Sequence, residues 1–139
     1  MSILHLRRLE REFNNVNDVC NKIKQDLDRI HVTRTAVEQV PNIVGDELLS
    51  PLADGMFIKT QCLSDTVHVN IGAGVIVEKN VGEATDLLDM HARRLHEQLA
   101  HQEKVQDGIS KNIMKRIEEI ELQCNLVTKT ETATAQTQP

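Results

Sequence analysis

Residues 1–40 carry the most regular hydrophobic pattern in the chain. Apolar side chains recur at alternating steps of three and four residues, which is the repeat of a left-handed coiled coil. Arg34 is the single polar break, and no glycine or proline occurs before Pro41. The pattern therefore predicts one long helix that pairs with a second helix. Its two seam positions hold Leu6, Phe13, Cys20, Leu27 and Arg34, and Leu9, Val16, Ile23, Ile30 and Val37.

A second helical pattern covers residues 80–127 and contains no proline. Asn80 and Glu83 have the spacing of a capping box, which places the start of this helix at Asn80. The apolar stripe is looser than in the first helix, and Gln102 and Gln106 predict a loose seam near its middle. Two helices of similar length with a compact linker indicate an antiparallel helical hairpin. The predicted stripe is Leu88, Leu95, Leu99, Ile109, Ile113, Ile117, Ile120, Cys124 and Val127.

The sequence pattern of residues 41–79 predicts β-strands. Apolar residues alternate with polar ones over 66–71, which is the period of a half-buried strand. Asp54-Gly55 and Gly72-Ala73-Gly74 are turn signals. We therefore predict two hairpins, 48–53 with 56–60 and 66–71 with 75–79. Pro51 cannot donate to a ladder, so its strand should be an edge or bulged there. The fold class is α+β, mainly α, with two β-hairpins between the long helices.

These hairpins predict assembly with other chains. An isolated two-stranded hairpin is marginally stable, and a stable sheet needs more strands and a covered face. The strands must therefore pair with each other, as a small sheet capping the helices, or with strands of another chain. We favour the second alternative. The residues assigned to assembly are Leu49, Leu52, Phe57, Ile58, Val67, Val69, Ile71, Gly72, Gly74, Val75 and Val77.

Composition narrows the class of protein. The chain has two Phe, no Tyr and no Trp, which fits long helices better than a compact globule. Its net charge of −5 argues against a nucleic-acid footprint, which would be basic. We expect no transmembrane helix, no membrane partner and no signal peptide. Three cysteines without a CxxC motif suit a reducing compartment, the cytosol by default, with the nucleus left open. The threonine-rich segment 128–139 predicts disorder.

No pattern indicates catalysis, a cofactor or a metal site. A phosphate loop at Gly72-Ala73-Gly74 would open a helix, whereas a strand follows here, so a hairpin turn is favoured. His91, His96 and His101 are five residues apart, so on a helix they spiral around the surface and cannot share one metal ion. We expect a non-enzymatic protein without a metal or cofactor.

Two segments of the hairpin region resemble the α class of the prefoldin family. They are SPLADGMFIKTQ at 50–61 and VNIGAGVIVEK at 69–79, the latter similar to the family pattern V-D-V-G-T-G-Y-Y-V-E-K. Within that class, the chain is most similar to eukaryotic prefoldin subunit 5. The resemblance covers about residues 3–127. It implies a hexamer of two α-class and four β-class subunits, whose hairpins form a double β-barrel platform bearing six coiled-coil arms.

The resemblance also implies an ATP-independent co-chaperone. The tips of its arms hold unfolded clients, chiefly actin and tubulin, and pass them to the cytosolic chaperonin. The start of the first helix and the end of the second carry more apolar residues than one seam can bury. Frayed helix ends with incidental apolar residues are the alternative explanation. A scaffolding subunit of a prefoldin-like assembly complex and a transcription-associated interaction module are the alternative functions. The client-binding residues expected at the tips are Ile3, Leu4, Leu6, Leu9, Phe13, Ile117, Ile120 and Leu122.

Overall fold

The computed structural model describes the backbone of residues 2–136 and the side chains of residues 3–129. Two long helices enclose four strands in the chain, as the sequence predicted. A short 3₁₀ helix, Val40–Asn42, follows the first helix, and Pro41 lies within it. The elements in chain order are α1 (Ser2–Gln39), β1 (Glu47–Ala53), β2 (Met56–Gln61), β3 (Thr66–Gly72), β4 (Val75–Asn80) and α2 (Val81–Gln136).

Burial along α1 follows the predicted seam. All ten predicted seam residues are buried or half-buried, and only Asn17 and Asp26 join them between residues 3 and 39. Leu9, Cys20 and Ile23 are the most buried of the set. The apolar repeat of α1 is therefore the face along which this helix pairs.

Burial along α2 corrects the predicted stripe. From Leu88 onward its buried and half-buried positions include a strict alternation of four- and three-residue steps, so the repeat is as regular as in α1. Ile117, Cys124 and Val127 were placed on the seam but are exposed. Seam positions are set by the register against the other helix, and polar side chains can occupy them. The observed seam is Leu88, Ala92, Leu95, Leu99, Gln102, Gln106, Ile109, Ile113, Arg116 and Ile120.

Residues 24–97 form one compact unit, here named the central unit. Its two helical segments are joined by the polar seam residue Arg34. The guanidinium donates two hydrogen bonds to Asp89, at 2.8 Å and 3.3 Å, and a further one to Glu38 on its own helix. The hydrogen bond and charge of Asp89, with a smaller effect of Glu38, raise the pKa of Arg34. The polar break predicted in the seam is thus a paired position.

Within the described backbone, residues 2–23 and 98–136 belong to the other compact unit, here named the terminal unit. Its helical segments run antiparallel: Ile3 lies near Ile120, and Asn17 lies near Gln106. The Gln106 side chain donates a hydrogen bond of 3.0 Å to Oδ1 of Asn17. Gln106 was expected to loosen the seam. Instead it forms a polar pair across it, because both side chains occupy seam-facing positions.

The four strands form two separate two-stranded antiparallel sheets, β1 with β2 and β3 with β4. This confirms both predicted hairpins. In the first hairpin the register shifts between Pro51 and Ala53. The predicted irregularity at Pro51 is therefore present as a bulge that contains Leu52. In the second hairpin a similar shift lies between Asn70 and Gly72.

The two hairpin turns differ in backbone conformation. Ala73 and Gly74 both have positive φ angles, 53° and 75°, as a type I′ turn requires. In the first turn Gly55 has φ of 71°, whereas Asp54 does not adopt a positive φ. Asp54-Gly55 thus forms the predicted turn, but not in the type I′ conformation that Asp-Gly favours. The bulge in β1 next to this turn changes the local twist and the pairing of the two strands.

Asn80 caps α2, as predicted. Its Oδ1 accepts a hydrogen bond of 2.8 Å from the backbone N–H of Glu83. The Glu83 carboxylate accepts a hydrogen bond of 2.7 Å from the Asn80 side-chain amide. In a capping box it would accept from the Asn80 backbone N–H instead. The far end of α2 differs from the predicted boundary at residue 127, because the helix continues to Gln136. Residues 128–136 were predicted to be disordered, but no glycine or proline between residue 127 and Pro139 ends the helix. Residues 137–139 lie outside the described part.

Leu95→Ala should destabilise the helix pair of the chain. Leu95 is only 8% exposed, so truncation leaves a cavity and lowers the free energy of unfolding by about 2–4 kcal/mol. Urea or thermal unfolding followed by helical circular dichroism measures this loss. Leu87→Ala, at a side chain that is 37% exposed on the same helix, is the matched control and should change stability by less than about 1 kcal/mol. Equal losses in both variants would contradict the assigned seam.

Candidate functional site

The first hairpin presents apolar side chains on both of its faces. Leu49 pairs with Lys59, and Pro51 with Phe57, so these four side chains share one face. Ile58 belongs to the other face, since successive side chains of a strand alternate. Leu49 is 67% exposed and Phe57 60% exposed. Neither face of this hairpin is covered by the described chain.

The second hairpin differs from the first, because its apolar side chains lie mainly on one face. Val67, Val69 and Val77 share one face by their register, and all three are half-buried. The opposite face is polar, and there the Thr66 hydroxyl donates to Glu78 at 2.9 Å. Ile76 is the apolar exception on that face and is exposed. This hairpin therefore has one inner face and one mostly polar outer face.

The structure thus separates the predicted assembly residues into two groups. Those of the second hairpin's inner face, Val67, Val69 and Val77, are partly covered. The predicted role of all these residues in assembly stays a prediction. Sequence reasoning missed several exposed apolar side chains of the region, which lie at strand ends or in loops, where no alternation marks them. The exposed predicted residues are Leu49, Leu52, Phe57, Ile58, Ile71, Gly72, Gly74 and Val75, and the missed ones are Leu48, Met56, Leu63 and Ile76.

The terminal unit contains an open, mainly apolar groove of about 450 Å³, named here the terminal groove. It lies between the start of α1 and residues 120–128 of α2. Its lining is richer in apolar than in polar surface, and such exposed apolar patches mark interaction sites. Its members are Ile3, Ile120, Gln123, Cys124, Val127 and Thr128.

The predicted client-binding residues also fall into two groups. Ile3 and Leu4 are 62% and 69% exposed, and Leu122 is 62% exposed. Ile117 is exposed as well, while Leu9 is buried and Leu6, Phe13 and Ile120 are half-buried on the seam. Only Ile3 and Ile120 of the set line the terminal groove. The exposed members are the ones that a ligand could reach without opening the helix pair. Sequence reasoning did not select Gln123 or Thr128, because polar residues carry no hydrophobic signal.

The three cysteines occupy three different environments, and all are free thiols. Cys20 is buried on the seam, as predicted, with 2% exposure. Cys124 was expected to be buried in the same way, but it is exposed. It lies beyond Ile120, after which every described side chain of α2, up to residue 129, is exposed. Cys62 is half-buried, and its thiol donates to the Ser64 carbonyl at 3.3 Å.

Features typical of a metal or membrane protein are not found in the described residues. Among the side chains of residues 3–129, no group of three or more His, Cys, Asp or Glu is arranged to hold a metal ion. His91, His96 and His101 are all exposed on α2. Over the same residues, neither helix is long and apolar enough to cross a membrane.

The fold places two β-hairpins between two long helices, and the first hairpin is uncovered on both faces. A family model described as prefoldin subunit matches residues 9–130, so the chain belongs to the prefoldin family. The prefoldin subunit alpha of Methanosphaera stadtmanae is 23% identical to it over 86 residues, 62% of this chain and 62% of that protein. The matched segment thus spans less than two thirds of the relative's length.

Cysteine reactivity should follow the observed burial. Cys124 should react with N-ethylmaleimide fastest in the native chain and Cys20 slowest, because alkylation requires access to the thiolate. Mass spectrometry of peptides from a time course would give the three rates. In denaturant the three rates should converge, which controls for intrinsic reactivity. A Cys20 that reacts as fast as Cys124 under native conditions would contradict the described seam.

Proposed function

We propose that the chain is an α-class subunit of a hexameric, ATP-independent co-chaperone. Its hairpins join those of β-class subunits and a second α-class subunit in a β-barrel platform. The terminal unit binds unfolded clients of the actin and tubulin type, which the complex delivers to the cytosolic chaperonin. The finer assignment, to a chain like eukaryotic prefoldin subunit 5 in the cytosol, rests on the hairpin sequences SPLADGMFIKTQ and VNIGAGVIVEK.

The observation that carries the proposal is the uncovered state of the first hairpin. Leu49 and Phe57 on one face and Ile58 on the other are all exposed in the single chain. Apolar burial contributes about 25 cal/mol per Å², so covering these faces in an assembly would stabilise it substantially. Free strand edges provide the second element, because unpaired backbone groups pair readily with another strand. Family membership supports the same conclusion.

The terminal groove supports client binding. Unfolded chains expose apolar side chains, and burial of one such side chain contributes about 1–2 kcal/mol. Ile3, Leu4 and Leu122 are exposed at this end of the helices. Weak contacts of this kind become effective when several subunits contribute them to one client, since the later contacts are intramolecular. An apolar groove without strong directional groups suits clients of varied sequence.

Native mass tests the assembly step. The chain alone and the chain mixed with β-class and α-class prefoldin subunits would be measured by light scattering. A species of six chains that contains this chain once or twice is the expected result. A chain that stays a monomer or a simple dimer in every mixture would contradict the proposal and favour the alternative in which the hairpins only cap the helices.

Substitution of the exposed terminal residues tests the client step. The triple variant Ile3→Ser, Leu4→Ser and Leu122→Ser should still assemble, because none of the three is a seam residue. Its complex should bind an unfolded client at least about tenfold more weakly, the equivalent of about 1.4 kcal/mol. Suppression of aggregation of denatured actin, as a function of complex concentration, measures this change.

The matched control removes three exposed apolar side chains of the helices that lie outside residues 3–4 and 120–128, with Val19→Ser, Val32→Ser and Val105→Ser. All three valines are exposed on the helices. This control complex should protect the client as well as the wild type does. If both triple variants retain full protection while they assemble, the subunit acts as a scaffold rather than as a client-binding subunit.

A further inference from the structure

A second cleft of the terminal unit, named here the aromatic cleft, opens between its two helical segments. Its volume is about 370 Å³, within the range of about 300–1,000 Å³ that is typical of ligand-binding clefts. Phe13 on α1 lines the cleft and is only half-buried, so an aromatic ring is accessible there. The other lining residues lie on α2. The complete lining is Phe13, Glu103, Gln106, Asp107 and Ser110.

The polar groups of this lining are mainly hydrogen-bond acceptors, and none of them is positively charged. Glu103 and Asp107 lie one helical turn apart, and both are exposed. The Glu103 carboxylate has no ion-pair partner among the side chains of residues 3–129. The Gln106 amide already donates to Asn17 at 3.0 Å, so its side-chain oxygen remains as an acceptor. The lining therefore suits a ligand that is cationic and rich in donors.

Lys111 already occupies one edge of the cleft. Its ammonium nitrogen lies 3.2 Å from Oδ2 of Asp107. Both side chains are largely exposed, and an exposed pair of this kind contributes little to stability. A second cation can therefore join this pair or displace Lys111, while Glu103 supplies a carboxylate that is not yet engaged.

One stripe of α2 connects the aromatic cleft with the terminal groove. Alternating steps of four and three residues keep to one side of a helix, and here they pass through exposed Met114 and Ile117. The stripe ends at Cys124, which lines the terminal groove. At 1.5 Å per residue, Asp107 and Cys124 are about 25 Å apart along the helix, which about seven or eight extended residues span. Its members are Glu103, Asp107, Ser110, Met114, Ile117, Glu121 and Cys124.

We propose that the aromatic cleft binds an arginine side chain of the same unfolded segment whose apolar side chains enter the terminal groove. The inference rests on the proposed function, since it adds a charge preference to client binding. The preferred segment carries an arginine about seven or eight residues from an apolar side chain. Apolar contact alone is non-directional, so the cleft would give this subunit a selectivity that the groove lacks.

The lining fits a guanidinium group better than other side chains. A guanidinium has five N–H donors and no acceptor, which complements the oxygens of Glu103, Gln106 and Asp107. It also stacks on aromatic rings, and Phe13 supplies one. Lysine has the charge but lacks a planar group that can stack, so it should bind more weakly. An acidic side chain would be repelled by the two carboxylates.

Two matched peptides test the preference for arginine. Both are ten-residue chains with leucine at the first two positions. The ninth residue is arginine in one and citrulline in the other, and citrulline has nearly the same shape without the charge. The full chain is titrated with each peptide at an ionic strength of about 0.15 M. The arginine peptide should bind at least about fivefold more tightly.

Fluorine NMR locates the bound peptide. The chain contains only two Phe, so labelling with 4-fluorophenylalanine gives one signal from Phe13 in the aromatic cleft and one from Phe57 in the first hairpin. The arginine peptide should shift the Phe13 signal and leave the Phe57 signal in place. A shift of the Phe57 signal alone would place binding on the hairpin and overturn the inference.

A pair of double variants separates the cleft from the overall charge. Glu103→Gln with Asp107→Asn removes both carboxylates at nearly constant size, and the preference for arginine over citrulline should fall below about twofold. The matched control, Asp18→Asn with Glu118→Gln, removes two exposed acids of the same unit that do not line the cleft. It has the same net charge and should keep the full preference. None of the four residues lies on the seam, so both variants should fold.

The other outcomes overturn the inference in distinguishable ways. Equal loss of the preference in both double variants would show that net charge, rather than the cleft, selects arginine. Equal affinity of the two peptides for the unchanged chain refutes only the cleft assignment, because the terminal groove still binds the leucines. If neither peptide binds, the client-binding step of the proposed function fails, and the cleft assignment fails with it.

Discussion

Unsatisfied strand edges are the constraint on which the rest of this protein depends. Each of its two sheets has only two strands, so half of the backbone groups in each hairpin have no partner strand within residues 2–136. In the first hairpin, exposed side chains such as Leu49 and Ile58 add an uncovered apolar surface on both faces. A sheet of this size is marginal in water. In the proposed assembly, strands of other chains would pair with these edges and supply the missing stability.

Polar pairs define the register of the two helices against each other. Apolar seam residues alone allow several alignments, whereas a polar pair in the seam is satisfied in few of them. Arg34 with Asp89 supplies such a pair in the central unit. Asn17 with Gln106 supplies another in the terminal unit. Polar residues in the seam reduce the apolar area that the helices can bury, and the gain is a defined antiparallel alignment in each unit.

The two candidate surfaces differ in the chemistry of recognition. The outer strand edges of the hairpins present backbone donors and acceptors in fixed spacing, which suits one regular partner, an extended strand. The terminal groove presents mainly apolar side chains such as Ile3 and Val127. Apolar contact is non-directional, so this groove suits partners of varied sequence. The proposed assembly and the proposed client binding therefore call on different parts of the same chain.

The sequence by itself determined both helices apart from the far end of α2, the four strands to within about one residue, the α1 seam and the Asn80 cap. Each of these depends on local periodicity or on turn and cap chemistry, which a single stretch of residues contains. Tertiary structure alone decided which residues of α2 face the partner helix: Gln106 lies inward and Cys124 outward, against their polarity. It also decided that Arg34 pairs with Asp89. These features depend on the register between segments distant in sequence, and hydrophobic periodicity within one segment does not encode that register.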